Sequence, residues 1–218
     1  MDKGLDRRLK KWFNDWKSEL SKYKLLILIS IILLILANVF NVITSTYVDS
    51  INTIVVHDII LDHLPSLNLE FIFVYGLLAV FFVIALYIII FRVKLFHIAV
   101  FDFSLLIFAR SCFMVLTHLG QPANAVVMDN VPAIFNFLTV RNDLFFSGHT
   151  AVPFMAFLLF RKEKIGLFFL AMTIILAATV LIMHVHYSID VFSAFFITYG
   201  VYMLGNFGCD KVCYRFVR

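Results

Sequence analysis

Charged residues are scarce in this sequence: they make up 15% of its 218 residues, whereas 62% are hydrophobic. That balance excludes a soluble globular protein, because about a quarter of the residues in such proteins are charged. Cysteines are also few, and Cys112, Cys209 and Cys213 form neither a paired framework nor a metal-ligand cluster. No segment repeats with a period of about 20–50 residues and no linker divides the chain into two domains.

Long apolar runs are what the sequence has instead. A membrane crossing needs ~20 consecutive apolar residues. On that criterion the sequence predicts six transmembrane helices, at residues 25–47, 70–91, 95–118, 146–160, 165–183 and 188–207. The fourth run is short, which indicates that its polar start dips into the membrane or lines a wet cavity. The predicted fold class is therefore all-α, a polytopic membrane protein.

The segment before the first apolar run is basic and aromatic. Residues 1–24 hold eight of the eighteen Lys and Arg residues, interleaved with Trp12, Phe13 and Trp16. Apolar residues near helical spacing predict an amphipathic helix on an anionic membrane surface, and a basic tail without a stable helix is the alternative. We expect three parts: this cytoplasmic segment, a six-helix catalytic domain over 25–207 and a cytoplasmic tail over 208–218.

The basic residues are distributed unevenly between the two sides of the predicted helices. Sixteen of the eighteen Lys and Arg residues lie in the N-terminal segment, the tail and alternate connections, and only Arg141 lies on the other side. Because basic connections stay in the cytoplasm, both termini are predicted to be cytoplasmic. The expected location is a cell membrane, or a Golgi or endoplasmic reticulum membrane in a eukaryotic cell.

Two polar stretches at the edges of apolar runs carry the candidate chemistry: residues 142–150 (NDLFFSGHT) and 186–191 (HYSIDV). His186 and Asp190 are four apart, so on a helix they share a face, where the carboxylate fixes the imidazole tautomer. The other stretch places His149 at a helix start, whose free N–H groups and dipole suit phosphate. The set fits phosphoryl transfer: one histidine attacks, the aspartate orients it, and the second histidine protonates the leaving oxygen. By position, both stretches are predicted to face the extracytoplasmic or lumenal side.

Arg110 lies inside a predicted span, where an ionised side chain costs about 2.5–3.5 kcal/mol even on the lower scales. It should therefore bind phosphate or form a structural pair with Asp102 or Asp190. His184 and His186 invite a metal hypothesis, but on a helix residues two apart point in different directions, and no cysteine or further carboxylate completes a site. Neither a metal nor another cofactor is expected.

The two stretches together resemble the signature motifs of the sphingomyelin synthase family of lipid phosphotransferases, a branch of the type 2 phosphatidic acid phosphatase superfamily. The family pattern C-G-D-x-x-x-S-G-H-T is matched by Asp143, Ser147, Gly148, His149 and Thr150, with Asn142 in place of glycine. The pattern H-Y-S/T-x-D-V is matched throughout 186–191. The K-x6-R-P motif of the wider superfamily is missing, which favours the synthase branch.

The resemblance implies a role for each site residue. His186 is the expected nucleophile, Asp190 its partner and His149 the acid. Substrate contacts are expected from residues in or near the same motifs: Arg110, whose segment 106–117 resembles a family helix, and Asp143, Ser147, Gly148 and Tyr187. Asp58 lies in a stretch, 57–65, that is weakly similar to a family loop. From its position in an outer loop, Asp58 either selects a head group or caps a re-entrant helix.

The expected reaction moves the phospho-head group of a membrane phospholipid to a lipid hydroxyl such as that of ceramide or diacylglycerol. With water as the acceptor, the same site is a lipid phosphatase or a phospholipase C. A non-catalytic membrane scaffold is the hypothesis of another class, and the intact set of two histidines and an aspartate disfavours it. No nucleic-acid partner is expected, and the sequence does not determine an oligomeric state.

Overall fold

The computed structural model describes residues 3–51, 53–128, 131–132 and 145–216. Within these residues the chain forms six α-helices, two short 3-10 turns and no β-strand. The helices are α1 (Lys3–Asp49), α2 (Glu70–Phe91), α3 (Phe96–Leu116), α4 (Gly148–Phe160), α5 (Lys164–Ile182) and α6 (Ser188–Phe216). The all-α fold class is thereby confirmed.

Five helical segments of the described chain are long and apolar enough to cross a membrane, the third of them including the 3-10 turn before α3: Leu20–Asp49, Glu70–Phe91, Val93–Leu116, Lys164–Ile182 and Ser188–Phe207. The chain is therefore a polytopic membrane protein. The remaining helix, α4, has 13 residues. At 1.5 Å per residue it is about 20 Å long, shorter than the ~30 Å hydrocarbon core. The fourth apolar run is short in the sequence, and the helix that it forms is correspondingly short.

The N-terminal segment differs in one respect from the sequence-based expectation. It is helical, but it is continuous with the first span as a single helix of 47 residues. The chain has neither glycine nor proline between residues 5 and 49, so nothing in it ends the helix. The indole N–H groups of Trp12 and Trp16 donate hydrogen bonds of 2.9 and 2.8 Å to the carbonyls of Ile90 and Ile89. These bonds fasten the N-terminal part of α1 to the last turn of α2.

The helices pack with α1 along α3, and with α4 against both α5 and α6. α3 and α6 come close at Gly205, where an added Cβ would collide with Oδ1 of Asp102. Only glycine leaves room for this carboxyl group. Asp102 is fully buried, and among the described residues neither of its oxygens has a hydrogen-bond partner.

The bundle has two chemically different ends. At one end, which we call the basic end, Glu163 pairs with Arg92 at 2.9 Å and accepts a hydrogen bond from the Tyr87 hydroxyl. The opposite end, which we call the site end, contains the starts of α4 and α6 and the last turns of α3. Every predicted site residue that the structure describes lies at this site end.

Two connections, which we call the outer connections, cover the site end: residues 50–69, of which the structure describes all but 52, and residues 117–128. They pair with each other through Gly120, whose N–H donates to the carbonyl of Ile54 at 2.9 Å. Both also bond to the end of α5, since Leu67 and Val126 donate to the carbonyls of Ile182 and Met183. The turn between α5 and α6, which carries His186, is therefore enclosed by backbone on two sides.

Candidate active site

His186 and Asp190 are in contact at the start of α6. The distance from Nδ1 of His186 to Oδ2 of Asp190 is 3.4 Å, and the two side chains are 7% and 0% exposed. The same carboxylate oxygen accepts a hydrogen bond of 2.9 Å from the backbone N–H of Tyr187. Oδ2 of Asp190 is therefore held by the Tyr187 N–H and at the same time faces Nδ1 of His186.

The route to this contact differs from the one that the spacing predicts. α6 begins at Ser188, so His186 lies in the turn before the helix and not on a helical face. Asp190 is in the first turn, where its side chain reaches back to the N–H of the residue preceding the helix, as in one half of a capping box. The pair thus forms because Asp190 caps α6, and a shared helical face is not involved.

The start of α4 supplies the second half of the site. Ser147 precedes the helix, is fully buried, and makes no side-chain cap hydrogen bond. Among the described residues, neither its hydroxyl nor that of Thr150 has a hydrogen-bond partner. Two buried hydroxyls of this kind indicate a place where a polar ligand or water belongs.

Arg110 reaches this helix start from α3. Its Nε donates a hydrogen bond of 2.7 Å to the carbonyl of Phe146. A Cβ added at Gly148 would lie 3.4, 3.6 and 3.7 Å from Cζ, Nε and a terminal nitrogen of the guanidinium. The guanidinium therefore lies directly over the first residue of α4, at ordinary van der Waals distance from the position that a Cβ at Gly148 would take.

His149 is buried between α4 and α2. Its ring stacks on that of Phe73, with centroids 3.8 Å apart, and it hydrogen-bonds to the Phe73 backbone. It also interacts electrostatically with His186 and Arg110. One face of the His149 imidazole is thus covered by the Phe73 ring. The charges of His186 and Arg110 influence its protonation.

The two helix starts touch each other. The N–H of Ser147 donates to the carbonyl of Asp190 at 3.2 Å, and Arg110 interacts electrostatically with the Asp190 carboxylate. Of the two carboxylates that sequence suggests as partners for Arg110, Asp190 is the one with which it interacts electrostatically. Asp102 instead faces Gly205 in α6. The fold therefore brings His149, His186, Asp190 and Arg110 into one cluster.

Asp58, in the first outer connection, binds the start of α6. Its Oδ2 accepts hydrogen bonds from the backbone N–H and the hydroxyl of Ser188, at 2.6 and 2.8 Å. Its Oδ1 accepts the N–H groups of Ile60 and Leu61, at 2.9 and 3.2 Å. Burial opposes ionisation of this carboxyl group, but the hydrogen bonds from Ser188, Ile60 and Leu61 outweigh burial and hold its pKa below the ordinary value.

Tyr187 has its side chain 1% exposed. Its hydroxyl donates to the carbonyl of Gly120 at 3.0 Å and accepts the N–H of Val56 at 3.2 Å. Burial, followed by the charges of Asp190 and Asp58, raises the pKa of this hydroxyl against one opposing hydrogen bond. The hydroxyl joins the two outer connections to the turn that carries His186.

Asp143 and His184 were also singled out from the sequence. Asp143 lies outside the described residues. His184 has its two ring nitrogens 3.1 and 3.2 Å from the carbonyl oxygens of Ala123 and Leu64, so it contacts the outer connections. In the part of the chain that the structure describes, no group of three or more His, Cys, Asp or Glu residues could hold a metal ion.

Sequence reasoning missed Phe73 and Ser188. Phe73 is one phenylalanine among 26, inside an apolar helix, and nothing in the sequence distinguishes it from a core residue. Ser188 lies within the second motif, yet only the fold shows that it bonds a carboxylate 130 residues away. Thr150 was part of the first motif, and its buried hydroxyl now belongs to the site.

Comparison with known proteins gives one family match, in the C-terminal part of the chain. Residues 142–207 match the family model described as PAP2 superfamily C-terminal. The matched segment is less than a third of the chain and contains both histidine motifs. The match supports membership of the type 2 phosphatidic acid phosphatase superfamily, and with it an enzyme of the phosphatase or phosphotransferase type acting on lipids. Among curated proteins and among solved structures the chain has no significant match.

Proposed function

We propose that this protein is an integral membrane lipid phosphotransferase that works through a phosphohistidine on His186. The observation that carries the proposal is the contact of 3.4 Å between Nδ1 of His186 and the carboxylate of Asp190, which also caps α6. A carboxylate there favours the tautomer with its proton on Nδ1. The lone pair of Nε2 is then available to attack phosphorus.

The first chemical step transfers the phospho-head group to the enzyme. Nε2 of His186 forms a bond to phosphorus, while the phosphorus–oxygen bond to the glycerol of the donor lipid breaks. The departing oxygen takes a proton from His149, which lies in the same buried cluster. Diacylglycerol leaves, and the Asp190 carboxylate stabilises the positive charge that develops on His186.

The second step regenerates the enzyme. An acceptor hydroxyl gives its proton to His149, and its oxygen attacks phosphorus as the bond to Nε2 breaks. The phospho-head group then belongs to the acceptor lipid. His186 returns to its starting state, and no other reactant is required.

Arg110 and the start of α4 are proposed to hold the phosphate. The guanidinium over Gly148 and the first N–H groups of the helix provide positive charge on one side of the cluster. The buried hydroxyls of Ser147 and Thr150 can donate to phosphate oxygens. We place Asp143 among the substrate contacts on the motif resemblance alone. The contacts of Tyr187 and Asp58 suit these two residues better to holding the site together.

We further propose a phospholipid as the donor, and ceramide or diacylglycerol as the acceptor. Support comes from the resemblance to sphingomyelin synthases and from the missing K-x6-R-P motif. Hydrolysis by the same site is the second candidate, because the match to the phosphatase superfamily fits it equally well. The two reactions differ only in whether an acceptor lipid excludes water.

The direct test uses purified protein in liposomes that contain a head-group-labelled phospholipid, with and without ceramide. We expect labelled acceptor lipid to form, and we expect an alkali-stable, acid-labile phosphoenzyme on His186 after rapid quenching. His186→Ala should abolish both signals. His63→Ala is the matched control, because that histidine is exposed at the same end and its ring nitrogen hydrogen-bonds to the nearby Ile59 carbonyl. Turnover that persists in His186→Ala would contradict the mechanism, and labelled free head-group phosphate without acceptor product would identify a hydrolase.

The location of the site end is proposed to be extracytoplasmic or lumenal. The support is the concentration of basic residues at the other end and in the N-terminal segment. Single cysteines can be introduced at Val127 and Lys162, both exposed, in a background lacking the native cysteines. A membrane-impermeant thiol reagent added to intact cells should label position 127 and spare position 162. The opposite pattern would place the site on the cytoplasmic face.

A further inference from the structure

The Asp58 carboxylate accepts four hydrogen bonds, and only two of them lie within its own turn. Two of its bonds close the turn that begins the short helix Leu61–His63, and the other two cross to Ser188. The bonds to Ser188 are the shorter ones, at 2.6 and 2.8 Å. The first connection is thereby joined to the helix that carries Asp190.

The Asp58 carboxylate has no acceptor capacity left for a substrate. A carboxylate offers about four acceptor positions, two on each oxygen. The N–H groups of Ile60 and Leu61 occupy Oδ1, while the N–H and hydroxyl of Ser188 occupy Oδ2. A cationic head group would have to displace one of these bonds in order to contact Asp58. The structure thus favours capping over head-group selection.

Ser188 lies between the two members of the proposed nucleophile pair. Its N–H is one of the donors at the start of α6 that have no partner within the helix, and the Asp58 carboxylate accepts it. The negative charge of Asp58 also matches the positive end of the helix dipole. Because Asp190 is in the first turn and His186 is two residues before Ser188, a shift of Ser188 moves both. Their contact of 3.4 Å depends on the direction in which the chain enters α6.

We propose that Asp58 is a positioning residue, which holds the start of α6 through Ser188 so that Asp190 meets His186. The proposal rests on the proposed function for its kinetic consequence. Its geometric part, the ordering of His186 by Asp58, stands on the contacts alone. It predicts that Asp58 affects the rate of transfer equally for every donor head group.

The test compares Asp58→Asn and Ser188→Ala with Asp62→Asn in the full-length protein. Asn at position 58 keeps an acceptor for Ile60 and Leu61 but can turn an amide NH₂ toward the donors of Ser188. Asp62 is the matched control, because it lies in the same turn and its carboxylate is 3.5 Å from Nδ1 of His57, whose side chain is 99% exposed. Donor lipids with choline, ethanolamine, glycerol and no head group are compared.

We expect Asp58→Asn to lower kcat by about tenfold to a hundredfold with KM little changed, since misplacement of a catalytic group by about 1 Å has an effect of that size. The factor should be the same for all four donors, and Ser188→Ala should give a smaller loss of the same kind. A rise in KM confined to the choline and ethanolamine donors would overturn the proposal in favour of head-group binding. Wild-type kcat in Asp58→Asn would also overturn it.

A second measurement separates this proposal from the proposed function. The rate at which diethyl pyrocarbonate modifies His186, mapped by mass spectrometry, needs no turnover. We expect a severalfold faster reaction in Asp58→Asn and in Ser188→Ala than in wild type or Asp62→Asn. If wild type transfers no head group, the proposed function fails while this comparison still tests Asp58. Equal modification rates in Ser188→Ala and wild type would refute the positioning role even if Asp58→Asn does not fold.

Discussion

Two helices begin side by side at the site end, and different groups meet their first turns. At the start of α6, the carboxylates of Asp58 and Asp190 accept backbone N–H groups. At the start of α4, the Ser147 side chain makes no cap hydrogen bond and a guanidinium lies over Gly148. Both are N-termini with a positive dipole end, yet one meets negative side chains and the other meets a positive one.

The difference suggests a division of tasks between the two helices. A helix start that carboxylates already occupy is stabilised and fixed, which suits a nucleophile whose direction matters. A helix start beside Arg110 keeps its positive potential, at an electrostatic cost that a bound anion would remove. On this interpretation α6 holds the attacking histidine and α4 holds the phosphate. The predictions below perturb the two starts separately.

The largest effect is expected from Asp190→Asn, which changes the fixed start. Asparagine retains an oxygen that can accept the Tyr187 N–H, so the cap of α6 survives. It removes the charge that selects the Nδ1–H tautomer of His186, and a loss of kcat on the order of 10³- to 10⁴-fold follows from comparable triads. The loss is measured as diacylglycerol release from phospholipid in liposomes.

Circular dichroism and the melting temperature in detergent serve as the control for Asp190→Asn, and both should stay close to wild type. A variant that unfolds would show that the carboxylate is needed mainly as a cap. A folded variant with a rate within tenfold of wild type would argue that His186 is oriented by other groups, and the division between the two helix starts would lose its basis.

Much of this arrangement follows from sequence. The six apolar runs correspond closely to the helices that the structure contains, because the length of an apolar run and the polar residues at its ends determine where a membrane helix can begin and stop. Pairing of His186 with Asp190 was also expected, although from the wrong geometry. A contact between residues four apart can form on a helix or across its cap, and spacing alone does not separate the two.

What sequence could not give is the set of contacts between distant segments. Asp58 and Ser188 are 130 residues apart, and neither residue type indicates the other as its partner. The same holds for Phe73, whose ring stacks on His149 only because α2 packs beside α4. The continuity of α1 is a different case: the absence of glycine and proline from residues 5–49 was visible, but the change from basic to apolar composition suggested two elements.

An intermediate effect is expected from Gly148→Ala, which changes the open start. The methyl group would contact three guanidinium atoms at 3.4 to 3.7 Å and occupy space between Arg110 and the helix. We expect turnover to fall about tenfold, less than for the loss of a catalytic group, because a methyl group at ordinary contact distance leaves Arg110 in place and displaces a bound phosphate by only a fraction of an ångström. Inhibition by orthovanadate, an anion that resembles phosphate, should weaken in parallel.

Gly200→Ala is the matched control for Gly148→Ala, because that glycine is in α6 and no atom of the described residues lies within 4 Å of an added Cβ. It should retain wild-type turnover and wild-type inhibition by vanadate. If Gly148→Ala loses turnover while vanadate inhibits it as strongly as wild type, the phosphate does not bind between Arg110 and α4. The site for the anion would then have to be sought elsewhere in the cluster.

The smallest effect concerns the response of the two helix starts to acid. The folded-state pKa of Asp58 lies below its ordinary value of 3.8, so its contribution to stability is complete above pH 3.8 and is lost as the pH falls through the folded-state pKa. Amide hydrogen exchange in residues 187–190 should therefore accelerate relative to residues 148–151 when the pH is lowered from about 6 to about 3. The ratio between the two segments cancels the dependence of the chemical exchange rate on pH.

We expect a severalfold change in that ratio for wild type and for Asp62→Asn, and a much smaller one for Asp58→Asn. An equal change in Asp58→Asn would assign the acid response to other carboxylates, and the fixed start of α6 would then not depend on Asp58.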